Sequence, residues 1–213
     1  MKSIEEIGDN HISTSYDTPL REDAFVKSDE EKMKCIEFHF KSIMEELGLD
    51  LKDDSLKGTP KRVAKMYIKE LFNGLDPKNK PNLSVFDNKY QYNKMLVEKN
   101  IIFNSACEHH FLPITGKAHI GYIAKDKVIG LSKINRIVDY YARRPQVQER
   151  LSIQIYNELK NTLQTEDIIV VIDAEHLCVS SRGVKDSSSS TVTIEHGGVF
   201  NNEFQRNEFL KLI

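Results

Sequence analysis

The chain has 213 residues, of which 39% are apolar and 29% charged, and its formal net charge is −2. This length and apolar content predict one domain with a buried core and argue against a wholly disordered chain. No apolar run approaches the ~18 residues of a membrane span, and the first residues lack the apolar region of a signal peptide. Three cysteines are too few for a disulfide scaffold, so a reducing compartment, the cytoplasm, is expected.

Charge is distributed unevenly along the chain. Residues 1–57 contain 8 Lys or Arg and 15 Asp or Glu, whereas residues 58–213 contain 22 and 17. An acidic head on a basic body indicates that the body binds an anion. The basic excess is concentrated in residues 130–150. On charge alone, a solvated helix face is the simpler interpretation of that excess.

The N-terminal third is predicted to be helical. Residues 1–27 show no sustained periodicity and are expected to form a flexible leader, followed by a helical region over residues 28–93. A capping box at residues 28–31 precedes apolar residues at helical spacing, and Gly48 marks the end of this first helix. A second helix is expected to be capped by Thr59, with proline at its first position, and to close before Gly74.

The pattern changes at Lys94, where strands are predicted. Segments with one buried face lie at residues 95–97, 101–103, 118–124 and 128–131. Ser132 is expected to cap a helix that ends near Ala142, and Pro145 to begin the next helix.

The remaining predicted elements are an apolar strand from Ile168 to Cys178, a strand at residues 191–194 and a terminal helix at residues 204–212. The order of elements predicts an α+β domain over residues 94–213. Its helices are expected to pack on one face of a mainly antiparallel sheet.

Two short segments contain the residue types that bind zinc. Cys107 and His110 have C-x-x-H spacing, so one turn can direct both at one ion. Cys178 can join them only if the fold brings two strand ends together. These three ligands would leave a fourth position open, as in a catalytic zinc site. Cys35, in the first helix, is expected to be a small buried residue.

Two histidines accompany the predicted ligands. His109 is adjacent to His110, and His176, two residues before Cys178, would face the same side of an extended strand. An imidazole that titrates near neutrality beside a metal-activated water suits proton transfer. A closed structural zinc site, with His109 or His176 as the fourth ligand, is the alternative.

An anion site is predicted where a helix follows the short strand at residues 128–131. Free N–H groups at that helix start, with Lys133 and Arg136 one turn apart, match phosphate oxygens. Ser132 opens the same turn, and Arg182, just past Cys178, adds a guanidinium near the predicted metal.

A purine site is predicted next to these groups. Gln148 and Glu149 open the following helix, and a carboxylate that accepts two parallel N–H bonds matches the edge of guanine. Residue chemistry alone therefore indicates a site with a metal-activated water, groups that bind phosphate and groups that bind a purine.

Five sequence blocks together resemble the GTP cyclohydrolase I family, over residues 59–200. They occur in the family's order and are GTPKRVAKMY at 58–67, ACEHHFLPITGKAHIGYIA at 106–124, GLSKINRIVDYYARRPQVQERL at 130–151, EHLCVSSRGV at 175–184 and GGVF at 197–200. The resemblance implies the tunnelling fold, in which each subunit supplies a four-stranded antiparallel sheet with helices. It also implies a toroidal homodecamer of two pentamers, with active sites at subunit interfaces.

The implied reaction converts GTP and water into 7,8-dihydroneopterin triphosphate and formate, the first step of pterin and tetrahydrofolate biosynthesis. The resemblance implies a zinc ion held by Cys107, His110 and Cys178, with His109 and His176 as the acid/base pair. The residues implied to bind GTP are Gln148 and Glu149 at the guanine, Ser132, Lys133, Arg136 and Arg182 at the triphosphate, and Arg62 and Lys65 at a neighbouring subunit's triphosphate.

Two other functions compete with this interpretation. A nitrile reductase of queuosine biosynthesis shares the tunnelling fold but uses a cysteine nucleophile and NADPH without zinc. The paired Cys/His motifs and residues 132–136 argue against it. A structural-zinc module that binds nucleic acid would use the basic segment, but that segment lacks interleaved aromatics apart from Tyr140 and Tyr141. Neither nucleic acid nor a membrane is expected as a partner. Residues 193–196 depart from the family's small residues, and His196 is expected not to be a ligand.

Overall fold

A computed structural model describes residues 15–213 of the chain. Its helices are α1 (Asp29–Glu46), α2 (Thr59–Met66), α3 (Leu131–Ala142), α4 (Gln148–Leu163), α5 (Leu177–Ser180) and α6 (Glu203–Leu210). Its strands are β1 (Val85–Asp87), β2 (Met95–Cys107), β3 (Pro113–Ile123), β4 (Lys127–Ile129), β5 (Pro145–Gln146), β6 (Ile168–His176) and β7 (Thr191–His196). Among residues 15–213, no helix is long and apolar enough to cross a membrane.

The N-terminal helices begin close to the predicted positions, and α1 also ends where predicted, whereas α2 ends at Met66 and is followed by a π-helical turn over Tyr67–Leu71 before Gly74. The capping box of α1 is confirmed, because the Ser28 hydroxyl accepts from the Glu31 N–H while the Glu31 carboxylate accepts from the Ser28 N–H. Gly48 follows α1 with φ +79°, as a helix-ending glycine requires. The cap of α2 is Gly58, so the predicted cap at Thr59 is wrong by one residue. Cys35 of α1 is exposed, which contradicts the expectation that it is buried.

The main sheet has the strand order β5-β2-β3-β6-β7. Its four long strands are antiparallel, as predicted, and β5 adds a two-residue parallel pairing to the end of β2. The predicted strand at residues 128–131 is β4, which pairs with β1 in a separate two-stranded sheet. The fold is therefore α+β with an antiparallel sheet.

Two predicted helix starts are wrong. Pro145 does not begin α4, because Pro145 and Gln146 pair with the end of β2 and the helix starts only at Gln148. Ser132 does not cap α3: the cap is Gly130, whose extended backbone places its carbonyl to accept from the Lys133 N–H at 2.8 Å.

Helices pack on both faces of the main sheet, which corrects the prediction of a single covered face. Residues of α3 and α4 form the larger core with the inward side chains of β2, β3 and β6. On the opposite face, Phe200 and Phe209 bury Ile169 and Val171 at one end of the sheet. Gly121 permits this contact, because a Cβ atom there would lie 2.6 Å from the Phe209 ring.

Candidate metal centre

Sheet topology brings two distant chain segments to one edge of the main sheet, the edge formed by the carboxyl ends of β2 and β6. Strands β2 and β6 are both antiparallel to β3, so their carboxyl ends lie on the same side of the sheet. Cys107 ends β2, whereas His176 ends β6 and pairs with Ile114 at the start of β3. Cys178, two residues after β6, therefore lies beside the loop that follows Cys107.

Three side chains converge at this edge. The ligand atoms of Cys107, His110 and Cys178 all lie within 4.8 Å of one another, and Cys107 Sγ is 3.8 Å from His110 Nδ1. Two sulfurs and an imidazole are donors that zinc prefers, and three protein ligands leave a fourth position for water or substrate. The structure thus brings together the three side chains that the spacing pattern singled out.

The route by which Cys178 reaches the cluster differs from the predicted one. The apolar strand was expected to continue to Cys178, but β6 ends at His176 and Leu177–Ser180 form one helical turn. The Ser181 N–H donates to the Leu177 carbonyl and closes this turn. The expectation that His176 and Cys178 share one side of an extended strand is therefore wrong.

A tight loop positions the first two ligands. The Cys107 N–H donates to the Leu112 carbonyl, and the Phe111 N–H donates to the Cys107 carbonyl, both at 2.8 Å. Phe111 adopts φ +54°, which turns the chain back into β3. The Glu108 N–H donates to the Gln146 carbonyl of β5 at 3.0 Å, so β5 supports the loop from outside.

The thiols and the neighbouring imidazoles differ in their electrostatics. Burial, with the neighbouring Cys107 thiol, raises the pKa of Cys178 to about 11. Metal binding at this site would therefore have to displace a firmly held proton, because zinc binds the thiolate. His109 Nδ1 is 3.7 Å from Cys107 Sγ. Burial lowers the pKa of His176, opposed by the charge of Glu149.

Gln148 contacts His176 rather than open solvent. Its side chain is almost fully buried, 2% exposed, and its amide nitrogen donates to the Thr191 carbonyl at 2.8 Å and the Ile172 carbonyl at 3.1 Å. Because the amide nitrogen already donates to these carbonyls, the amide oxygen faces His176 Nε2 at 2.8 Å and accepts a hydrogen bond from the Nε2–H group. Glu149, the next residue, is exposed beside the site.

The residues implied to bind phosphate fall into three places. Arg182 lies at the cluster, where its guanidinium donates to His110 Nε2 at 2.7 Å. The exposed Arg62 and Lys65 lie on α2. Arg62 donates to the Ser55 carbonyl and the Thr59 hydroxyl.

The third group lies on the first half of α3, away from the helix end that leads to the metal cluster of the same chain. The end of α3 leads into Gln146, which pairs with Cys107, whereas its start follows β4 at the other end of the sheet. Twelve helical residues span ~18 Å. In residues 15–213, Ser132, Lys133 and Arg136 make no hydrogen bond or ion pair with the cluster. His196, expected not to be a ligand, pairs with Ile169 in the sheet.

Sequence reasoning missed the buried charges behind the metal loop. The Arg150 guanidinium donates to both Glu108 carboxylate oxygens, at 2.6 and 3.3 Å, and Arg144 donates to Asp17 at 3.1 Å. Both arginines stood out only as part of the basic excess in residues 130–150. The sequence offered one signal for this ion pair: Glu108 lies between Cys107 and His109, two predicted site residues.

An α+β chain with two cysteines, a histidine and a hydrogen-bonded second histidine at one sheet edge defines a candidate metal-dependent enzyme. The family model for GTP cyclohydrolase I matches residues 36–213. The chain belongs to the GTP cyclohydrolase I family, and it is an enzyme of that class.

Three relatives, each named GTP cyclohydrolase 1, illustrate the similarity. The protein from Flavobacterium johnsoniae is 59% identical over 210 residues, which cover 99% of this chain and 94% of the relative. The protein from Aeromonas salmonicida is 51% identical over 91% of this chain and 88% of the relative. The protein from Citrobacter koseri is 47% identical over 95% of this chain and 91% of the relative.

Proposed function

We propose that this enzyme is a zinc-dependent GTP cyclohydrolase I. It would convert GTP and water into 7,8-dihydroneopterin triphosphate and formate, the first step of pterin and tetrahydrofolate biosynthesis. The observation that carries the proposal is the convergence of Cys107, His110 and Cys178 beside His176, in a chain of this family.

The donor set fits a zinc ion. Cys107, His110 and Cys178 would hold it, and the bound ion would lower the pKa of a water molecule to about 7. Metal binding would change the Arg182 contact: a guanidinium only donates, so His110 Nε2 is the acceptor there and Nδ1 of the neutral ring carries the proton. A His110 ring that binds metal through Nδ1 carries its proton on Nε2, which would release Arg182 to bind an anionic substrate.

His176 is proposed as the proton-transfer residue for the purine, with His109 as its partner. The Gln148 amide oxygen accepts from His176 Nε2, so the neutral ring presents Nδ1 as an acceptor. Burial lowers the pKa of His176, which keeps the ring neutral near pH 7 and ready to accept a proton. We propose that Gln148 orients His176, because the Gln148 side-chain amide is already hydrogen-bonded within the fold.

Glu149 is proposed to bind guanine. Its carboxylate is exposed at the first turn of α4, next to the residue that binds His176. Two N–H groups on one edge of guanine can donate to the two oxygens of a single carboxylate. Gln148 could contribute to the base only through its backbone, since its side chain is buried.

The triphosphate site is proposed to combine residues of neighbouring subunits. Arg182 lies at the cluster, but Ser132, Lys133 and Arg136 lie at the far end of α3, so they would serve a neighbour's site. The exposed Arg62 and Lys65 are proposed to act in the same way.

This arrangement supports the tunnelling fold and a toroidal homodecamer of two pentamers. In residues 15–213 the outer edge of β7 has no partner strand, as expected where sheets of adjacent subunits join. The catalytic domain is proposed to be residues 94–213, preceded by a helical region over residues 28–93. All three cysteines are free, which supports a cytoplasmic location.

Incubation with GTP tests the proposal. Protein loaded with zinc should release formate and form a product with pterin absorbance, and a zinc chelator should abolish both. Cys178→Ser should lose zinc and activity together, whereas the matched Cys35→Ser, at an exposed cysteine of α1, should retain both. Absence of formate from zinc-loaded protein would contradict the proposed reaction. Full zinc in Cys178→Ser would contradict the ligand assignment.

A further inference from the structure

Two arginine side chains are buried behind the metal-binding loop. Those of Arg144 and Arg150 are only 9% and 3% exposed. A buried guanidinium is costly unless acceptors surround it. Arg150 donates to Glu108 and, through Nε, to the Ser15 carbonyl at 2.8 Å. Arg144 donates to Asp17.

The acidic head supplies one acceptor to each of these two arginines, whereas the buried Arg144 Nε has no hydrogen-bond partner within residues 15–213. We call residues 15–18 the N-terminal strap. The Asp17 Oδ1 atom accepts from Arg144 at 3.1 Å, from the Gln154 amide at 2.5 Å and from the Thr18 N–H at 2.9 Å. Two of these donors, Arg144 and Gln154, belong to the body and converge on one carboxylate oxygen, so the strap is held at a specific place on the body.

Two chains of hydrogen bonds connect the strap to the metal-binding loop. In the first, Arg150 joins the Ser15 carbonyl to Glu108, the residue between Cys107 and His109. In the second, Gln154 binds Asp17 through its amide nitrogen.

The second chain continues through Gln146. The Gln146 amide donates to the Gln154 oxygen at 2.8 Å, and the Gln146 carbonyl accepts from the Glu108 N–H at 3.0 Å. Both chains therefore end on Glu108.

We propose that the N-terminal strap holds the metal-binding loop, residues 107–110, in its ligating geometry, and that Asp17 is the positioning residue that seats the strap. Its effect on zinc rests on the proposed function, whereas its effect on the loop does not. The strap fixes Arg150, Arg150 fixes the Glu108 carboxylate, and Glu108 orients the backbone that carries Cys107 and His110. Partners that orient metal ligands in this way commonly influence metal affinity as strongly as a weak ligand does.

Hydrogen exchange in metal-free, GTP-free protein tests the strap directly. Asp17→Ala should accelerate exchange of the loop amides of Cys107, Glu108 and Phe111 by about tenfold, because a hydrogen-bonded charge has been removed from their support. Asp23→Ala is the matched control, since Asp23 lies a few residues after the strap and forms an exposed ion pair with Arg21. That control should leave the loop unchanged.

Zinc release provides the second readout. A chelator should remove zinc from the Asp17→Ala protein about tenfold faster than from wild type. Asp17→Asn, which retains one acceptor oxygen, should be intermediate. In a Gln154→Ala background, Asp17→Ala should have little further effect, because both substitutions interrupt the connection that runs from Asp17 through Gln154 to Gln146.

Each outcome decides the proposal. Unchanged hydrogen exchange of the loop in Asp17→Ala would overturn it. Exchange that accelerates equally in α1 and throughout α4 would also overturn it, because the contact would then be merely structural. Additive effects of Asp17→Ala and Gln154→Ala on zinc release would overturn the connection through Gln154 and Gln146. If the wild type takes up no zinc, the proposed function fails, whereas the exchange experiment still tests the strap.

Discussion

Removal of the Glu108 carboxylate should destabilise the fold by about 3 kcal/mol. Its partner Arg150 is only 3% exposed, so Glu108→Ala leaves a buried guanidinium without a counter-charge. Loss of one partner of a buried ion pair typically costs about 3–5 kcal/mol. The lower end applies here, because the Ser15 carbonyl still accepts from Arg150 and the Glu108 side chain is partly exposed.

Urea unfolding followed by circular dichroism measures this cost. Every variant is compared at the same protein concentration, because the proposed assembly into oligomers would contribute to apparent stability. Glu45→Ala is the control: its carboxylate pairs with Lys41 across an exposed helix turn, 53% and 56% exposed, and should cost no more than about 0.5 kcal/mol. A Glu108→Ala protein as stable as the Glu45→Ala protein would refute the reasoning that burial makes this ion pair matter.

Two further predictions concern histidines on the two faces of the sheet. His176→Ala should retain zinc and GTP binding, measured by metal analysis and equilibrium dialysis, but should lose turnover; normal turnover would refute its role in proton transfer. Burial, with Lys117 and Lys99 against the opposing Asp173, lowers the pKa of His119. The unfolded chain therefore takes up this proton first, so stability should fall as the pH drops below about 6.5. His119→Gln should flatten that part of the urea-midpoint profile, and an unchanged slope would exclude this origin.

The sequence was most informative where periodicity and turn chemistry act locally. The capping box of α1 and the glycine that ends it follow from residue patterns that need no distant partner. Alternation of apolar residues also located parts of the main strands, although the segments at residues 95–97 and 101–103 belong to the single strand β2. The helix starts at Gly58 and Gly130 were each misplaced by one or two residues, because a glycine rather than the hydroxyl residue occupies the cap position. The backbone of Gly130 is extended there, whereas that of Gly58 is already in the α-helical region.

The metal cluster required knowledge of strand order. Cys107 and His110 are neighbours in sequence, but the position of Cys178 depends on β2 and β6 both flanking β3. Strand periodicity also failed just past His176, because one helical turn replaces the expected extended chain. The buried arginines were harder still, since a charged residue on an amphipathic helix is normally exposed and nothing local marks Arg150 as buried.

The length of α3 separates two groups of proposed site residues within one chain. The metal-binding loop is attached at its end through Gln146, whereas Ser132 and Lys133 lie in its first turn, and the helix rises ~14 Å from Lys133 to Ala142. Under the proposed function, Lys133 would therefore act on a substrate bound at the metal cluster of a neighbouring copy of the chain. Separation of the subunits should therefore abolish turnover while the metal cluster of each copy stays intact.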